Sequence, residues 1–328
     1  MKRSTLKRMA ALAALAAASL CGSAAWAQTQ LKWAHVYETS EPYHKQALWA
    51  ADEIKKRSGG KYAIDVFPAS TLGKETDINQ GLTLGTVDII YTGMAFAGRA
   101  YPPLSIASGP FIFRDYAHWQ SFRNSAIFKE LAAGYESKSG GNHIVGYTYY
   151  GQRHLTANKQ VLKPEDMKGM KLRVPDAPLF MMFPRAVGAN PTPIAFAEVY
   201  LALQNGTVDA QENPLPTIEA KKFYEVQKYT MLTGHITESL VTIVSGSTWA
   251  KLPADDRKLF EQVLWEASTR ASSDILESEN RLVTDFEKAG RTIVKVDRKP
   301  FMQAVQKAVT APDAPWPKEL YDRVEALK

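Results

Sequence analysis

Gly169-Met170-Lys171-Leu172-Arg173-Val174-Pro175 opens the stretch that decides the architecture. Leu172 and Val174 fall on one face of an extended segment, and Lys171, Arg173 and Pro175 on the other, so residues 170–174 read as a short strand. Residues 178–187 follow with helical spacing, 191–194 read as extended, and 195–204 read as a second helix. Strand and helix in alternation is the rhythm of an α/β unit. Working outward, the same rhythm fills the first half: strand 31–37, helix 42–58 closed by Gly59-Gly60, strand 62–67, helix 75–84, strand 87–91, one or two helices over 115–137 and a buried strand at 143–150. Residues 155–158 are extended, and 239–244 read as a second buried strand. Residues 253–288 then contain no internal Gly or Pro, start at Pro253 with Asp255-Asp256 and stop before Gly290. At about 1.5 Å per residue that helix is about 50 Å long, enough to lie across two α/β units. A helix over 300–309, a break at Pro312, Pro315 and Pro317, and a short last helix complete the chain.

The 328 residues carry 40 Lys and Arg against 34 Asp and Glu, a formal charge of +6. Four of the basic residues, Lys2, Arg3, Lys7 and Arg8, precede the uncharged run 9–30, which contains Ala25-Trp26-Ala27. A basic start, an apolar run shorter than a membrane span and a small-x-small site form a secretory leader, residues 1–27. Without it the count is 36 against 34, and no polyanion is implied, so nucleic acid is excluded as a partner. Cys21 lies in the leader. The exported chain therefore has no disulfide, no Cys-ligated metal and no Cys nucleophile, which suits a bacterial periplasm.

The chain lacks G-x-G-x-x-G, a P-loop, G-x-S-x-G and H-E-x-x-H. Its six histidines are scattered at spacings unlike a ligand cluster, so no metal and no cofactor are expected. Three stretches instead place polar groups at strand ends: Tyr150-Gly151-Gln152-Arg153, the Lys171-to-Pro175 segment, and Phe196-Ala197-Glu198 continuing to Gln211-Glu212-Asn213-Pro214.

In this order and spacing, these stretches resemble the extracytoplasmic solute-binding receptors of TRAP (tripartite ATP-independent periplasmic) transporters. Leu31-Lys32-Trp33-Ala34-His35, Phe67-Pro68-Ala69-Ser70-Thr71-Leu72-Gly73, Leu84-Gly85-Thr86-Val87-Asp88 and Pro164-Glu165-Asp166-Met167-Lys168-Gly169 extend the likeness over nearly the whole exported chain. The resemblance implies a periplasmic-binding-protein-like α/β fold: two lobes joined by crossing strands, an interdomain ligand cleft and a long helix over both. Lobe I is expected over 28–150 plus 239–278, and lobe II over 151–238 plus 279–328.

The resemblance also implies a site. Arg173 would form a bidentate salt bridge to the ligand carboxylate, which its planar guanidinium fork matches. Arg153 would be the second cation, Asn213 an amide on the ligand and Phe196 an aromatic of the pocket wall. Glu75 falls where some relatives offer a carboxylate, and Tyr150 is the aromatic placed nearest the arginines. Trp33, Tyr37, Phe96 and Tyr149 read as core. Val36 and Gly93 stand where sialic acid-binding members use polar residues, which weighs against a polyhydroxylated sugar acid.

The expected function is capture of a small organic acid anion for a TRAP membrane permease, by a monomer or a dimer, with no bond broken. A C4-dicarboxylate leads, and an α-hydroxy or α-keto monocarboxylate with an apolar tail is the alternative ligand. A sensing adaptor for a receptor kinase uses the same fold. An enzyme would need an acid or base, for which only Glu75, Glu212 and His35 offer themselves, without partners at catalytic spacing.

Overall fold

The computed structural model describes residues 28–328. The leader lies outside them. A mixed sheet of nine strands organises the molecule, in the order β2-β1-β3-β8-β4-β7-β5-β6, with β9 also paired to β8. The strands are β1 (Thr29–Ala34), β2 (Tyr62–Phe67), β3 (Ile89–Gly93), β4 (His143–Ala157), β5 (Lys171–Val174), β6 (Asn190–Pro193), β7 (Ala210–Pro214), β8 (Tyr229–Val244) and β9 (Thr292–Lys295). β1, β2 and β3 are parallel and form the first lobe's sheet; β5, β6 and β7 are parallel and form the second's. β6 contains Pro191 and Pro193, which cannot donate to a ladder, and it occupies the sheet's edge.

β4 and β8 join the halves. They are 15 and 16 residues long, antiparallel to each other and buried along almost their whole length. The spacing predicts separate extended pieces at 143–150 and 155–158. The structure runs one strand through both, because Gly151 makes a bulge instead of a break. Tyr149 pairs with Ser239 and Gly151 with Glu238, leaving Tyr150 as the extra residue. Gly151 has φ +111°, and a Cβ there would come within 2.6 Å of Glu279 Oε1 and 2.8 Å of Pro214 Cβ. A side chain at this crossing would have to displace the Glu279 carboxylate and Pro214.

That helix, Ala254–Lys288, has 35 residues. It packs on β4, on helix Pro42–Arg57 of the first half, and on helix Leu215–Ala220 and β9 of the second. Glu279 pins it at the crossing, accepting the Gln152 N–H at 2.6 Å and the Tyr149 hydroxyl at 2.7 Å. Helix Lys299–Val309 stays with the second half, where Phe301 lies 6.4 Å from Phe183. The last helix, Lys318–Glu325, does not follow it. His118 lies 2.8 Å from the Val324 carbonyl, Arg114 donates to the Glu325 carbonyl at 2.9 Å, and Arg323 pairs with Glu130 at 2.8 Å. These partners belong to the first half, so apportioning all of 279–328 to lobe II is corrected: the proline-rich segment 312–317 carries the chain back across.

Candidate functional site

The pocket lies where open α/β sheets place ligands, beyond the carboxyl ends of their parallel strands. β1 leads into Val36 and Tyr37, β3 ends at Gly93, β5 ends beside Arg173 and Pro175, and β7 brings Asn213; all line one cavity. Glu75, Phe96, Tyr150, Arg153, Phe180 and Phe196 complete most of its wall, with Glu238 and Leu240 from β8. All six residues singled out in the sequence, Arg173, Arg153, Asn213, Phe196, Tyr150 and Glu75, are therefore brought together. Tyr150 and Arg153 are three residues apart and would point to opposite faces of a regular strand. The bulge at Tyr150 resets the alternation and puts both on the pocket.

The two arginines are equally buried, at 2% exposure, and otherwise differ. Arg173 donates Nε and Nη2 to one carbonyl, that of Ile194, at 2.9 and 2.6 Å. Its Nη1 is buried without a partner. Burial pulls its pKa down to about 10, which leaves it cationic at neutral pH. Arg153 is already paired. Its Nε and Nη2 grip both carboxylate oxygens of Glu212, and Nη2 also donates to the Glu212 carbonyl at 2.7 Å and to Asn213 Oδ1 at 3.1 Å. Burial alone would lower the Arg153 pKa, but the Glu212 carboxylate outweighs it and the value is raised. On Glu212 burial pushes up, yet Arg153 and His235 hold the carboxyl down at about 2. The expected second free cation is thus a matched ion pair, with only Nη1 left over.

Behind that pair runs a polar ladder. Asn213 donates to Gln211 Oε1 at 2.7 Å, Gln211 donates to the Thr156 hydroxyl at 3.0 Å, and His235 lies 3.2 Å from Glu212. The Asn213 amide is held inside this ladder. Glu75 is the first residue of helix Glu75–Leu84, as the pattern predicts, but its carboxylate turns inward. It accepts from the Gly93 N–H and the Thr92 hydroxyl, both at 2.8 Å, and burial raises its pKa despite Arg173 and Arg153.

Aromatic rings close the remaining sides across both halves. Tyr37 sits 5.3 Å from Tyr150 and 6.3 Å from Phe196, and Phe96 sits 6.5 Å from Phe180. Tyr37 and Phe96, which read as core, are pocket wall. Polar contacts bridge the halves nearby: Thr217 donates to Glu41 at 2.7 Å, Lys221 pairs with Glu38 at 2.7 Å, and Arg99 pairs with Asp176 at 3.6 Å. Phe180, Pro175, Leu240 and Glu238 escaped the sequence reading. Glu238 had a signal, since it is the only acid in a sixteen-residue buried strand.

The geometry is that of a pocket between two α/β lobes, lined by two buried arginines of which one keeps an unpartnered nitrogen. Residues 33–312 match the family described as bacterial extracellular solute-binding protein, family 7. A solute-binding protein of Roseobacter denitrificans is 36% identical over 307 residues, covering 93% of each chain. A TRAP periplasmic solute-binding protein from the same species, solved with bound L-galactonate, superposes with a TM-score of 0.85 at 34% identity, covering 91% of this chain and 98% of that one. One from Polaromonas, solved with D-erythronate, has a TM-score of 0.87 at 33% identity, over 92% and 99% of the two chains. One from Shewanella oneidensis, solved with succinate, has a TM-score of 0.87 at 26% identity, over the same shares. The chain belongs to this family, the solute-binding receptors of TRAP transporters, and its relatives are receptors and not enzymes.

Proposed function

We propose that this chain is a periplasmic receptor that closes its two lobes on a small, singly charged hydroxy acid and delivers it to a TRAP permease. The observation that carries the reading is Arg173 Nη1, a buried cationic donor without a partner on the wall of a cavity between the lobes. A buried donor left unmatched is costly, and a ligand carboxylate would satisfy it with a charge-assisted hydrogen bond. Arg153, locked to Glu212, would position the site and offer Nη1 at most.

The cavity between the lobes is small, which suits a short acid. Glu75 turns the preference among acids. Its carboxylate accepts hydrogen bonds and repels a second ligand carboxylate, so hydroxyl groups suit this wall better than the C4-dicarboxylate that the sequence puts first. The bound D-erythronate and L-galactonate of the relatives at 33% and 34% identity support the hydroxy acid, and against them Val36 and Gly93 carry little weight. Closure would bend β4 and β8 between Tyr150 and Gly151 and between Glu238 and Ser239, with the ligand touching both lobes only when closed.

The test is calorimetric titration and thermal shift of residues 28–328, refolded to remove carried ligand, with D-erythronate, L-galactonate and succinate. A hundredfold excess over Kd stabilises the folded state by about 2.7 kcal/mol. The hydroxy acids should raise Tm by several degrees, and succinate by less. A properly folded protein that ignores both hydroxy acids would overturn the proposal.

A further inference from the structure

Glu238 has no part in the binding reading above. It is 1% exposed, lines the pocket, and its two oxygens are not equivalent. Oε1 accepts from the Ser108 hydroxyl and from the Ser239 N–H at 2.9 Å. Oε2 is buried and has no hydrogen-bond partner; the Arg153 Nη1 atom, at 4.0 Å, is too far to be one. Arg153 cannot come closer without leaving Glu212, and Ser108 together with the Ser239 N–H keeps the Glu238 carboxyl from turning. A buried acceptor in this state needs a donor from outside the protein.

Resting on the reading of the pocket as a hydroxy-acid site, we propose that, beside Glu75, Glu238 is a second specificity-determining residue of it. Its Oε2 takes a hydroxyl of the ligand and refuses a second carboxylate. The charges agree. Of the two arginines only Arg173 has no carboxylate hydrogen-bonded to it, so it can match one ligand charge, where a second would add repulsion. Burial pushes the Glu238 carboxyl up to about 7, with Arg153 pulling the other way and Glu212 adding to the rise. A hydroxyl serves either form, donating to the carboxylate or accepting from the acid. A ligand carboxylate can pair only with the protonated form.

The experiment titrates the wild-type protein, Glu238→Gln and Ser108→Ala with D-erythronate, L-galactonate and succinate at neutral pH. Gln keeps the shape and the oxygen that Ser108 and the Ser239 N–H need, and removes the charge. Glu238→Gln should reduce the preference for the hydroxy acids over succinate by about tenfold or more. Ser108→Ala leaves the pocket wall intact but frees the Glu238 carboxyl, and should reduce the same preference by about threefold. If Glu238→Gln does not fold, Ser108→Ala decides. A wild type that binds the hydroxy acids while the folded variants keep its preference overturns the role of Glu238 alone. A wild type that binds neither hydroxy acid, or prefers succinate, overturns the hydroxy-acid reading and this inference together.

Discussion

Arg153 on the crossing strand and Arg173 on the second lobe's β5 are the same residue type, equally buried and on the same pocket, yet they do different work. Arg153 is matched by Glu212 through both oxygens, so its charge is neutralised before any ligand arrives. Arg173 spends two nitrogens on one carbonyl and keeps a third unsatisfied. The difference separates stability from function. A buried pair is scaffold, and breaking it strands a charge; a buried cation held by a neutral carbonyl keeps its charge available to an anion.

That contrast can be broken most directly at Arg153. Arg153→Ala leaves Glu212 buried and unpaired, so unfolding in denaturant should show a loss of about 3–5 kcal/mol in stability. A variant as stable as wild type would mean the pair is not structural. Arg173→Ala should show the reverse pattern, with Tm close to wild type and affinity for the hydroxy acid reduced by about 2–5 kcal/mol. Arg173→Lys should recover only part, since an ammonium lacks the planar fork. Unchanged affinity in Arg173→Ala would remove it from the site.

Acid titration sharpens the scaffold side. Glu212 is held at about 2 in the folded protein, below its ordinary 4.5. A depressed carboxyl contributes stability that is present above its unfolded value and lost as pH falls through the folded one. The stability gap between wild type and Glu212→Gln should therefore be largest above about pH 5 and shrink as pH falls toward 2. A gap independent of pH would contradict the ion-pair account. The smallest effect is expected at Glu198, which lies in the same sequence motif as Phe196 but is exposed, its side chain making no ion pair or hydrogen bond among the described residues. Glu198→Ala should change stability by less than about 0.5 kcal/mol and leave affinity alone, so its place in the motif gives it no structural weight.

Periodicity and punctuation made the alternating units and the long helix legible. Arg173 was named through the family resemblance, on a short strand where the pattern already places a polar group near the end. The bulge was not legible, since Gly151 reads as a stop and only the partner strand shows that the ladder continues past it. That is also why Tyr150 and Arg153 could be named without a reason for their sharing a face. The pairing of Arg153 with Glu212 was hidden for a similar cause: residues 59 apart meet only through the register of β4 on β7. Glu75 satisfied a local rule for acids in a first helical turn, which masked its inward turn onto Gly93.

The most direct test is a crystal structure of the protein with a bound hydroxy acid. The ligand carboxylate should lie within hydrogen-bonding distance of Arg173 Nη1, with the Arg153–Glu212 pair undisturbed. A carboxylate seated on Arg153 with Glu212 displaced, or one that leaves Arg173 Nη1 without a partner, would contradict the division between the two arginines.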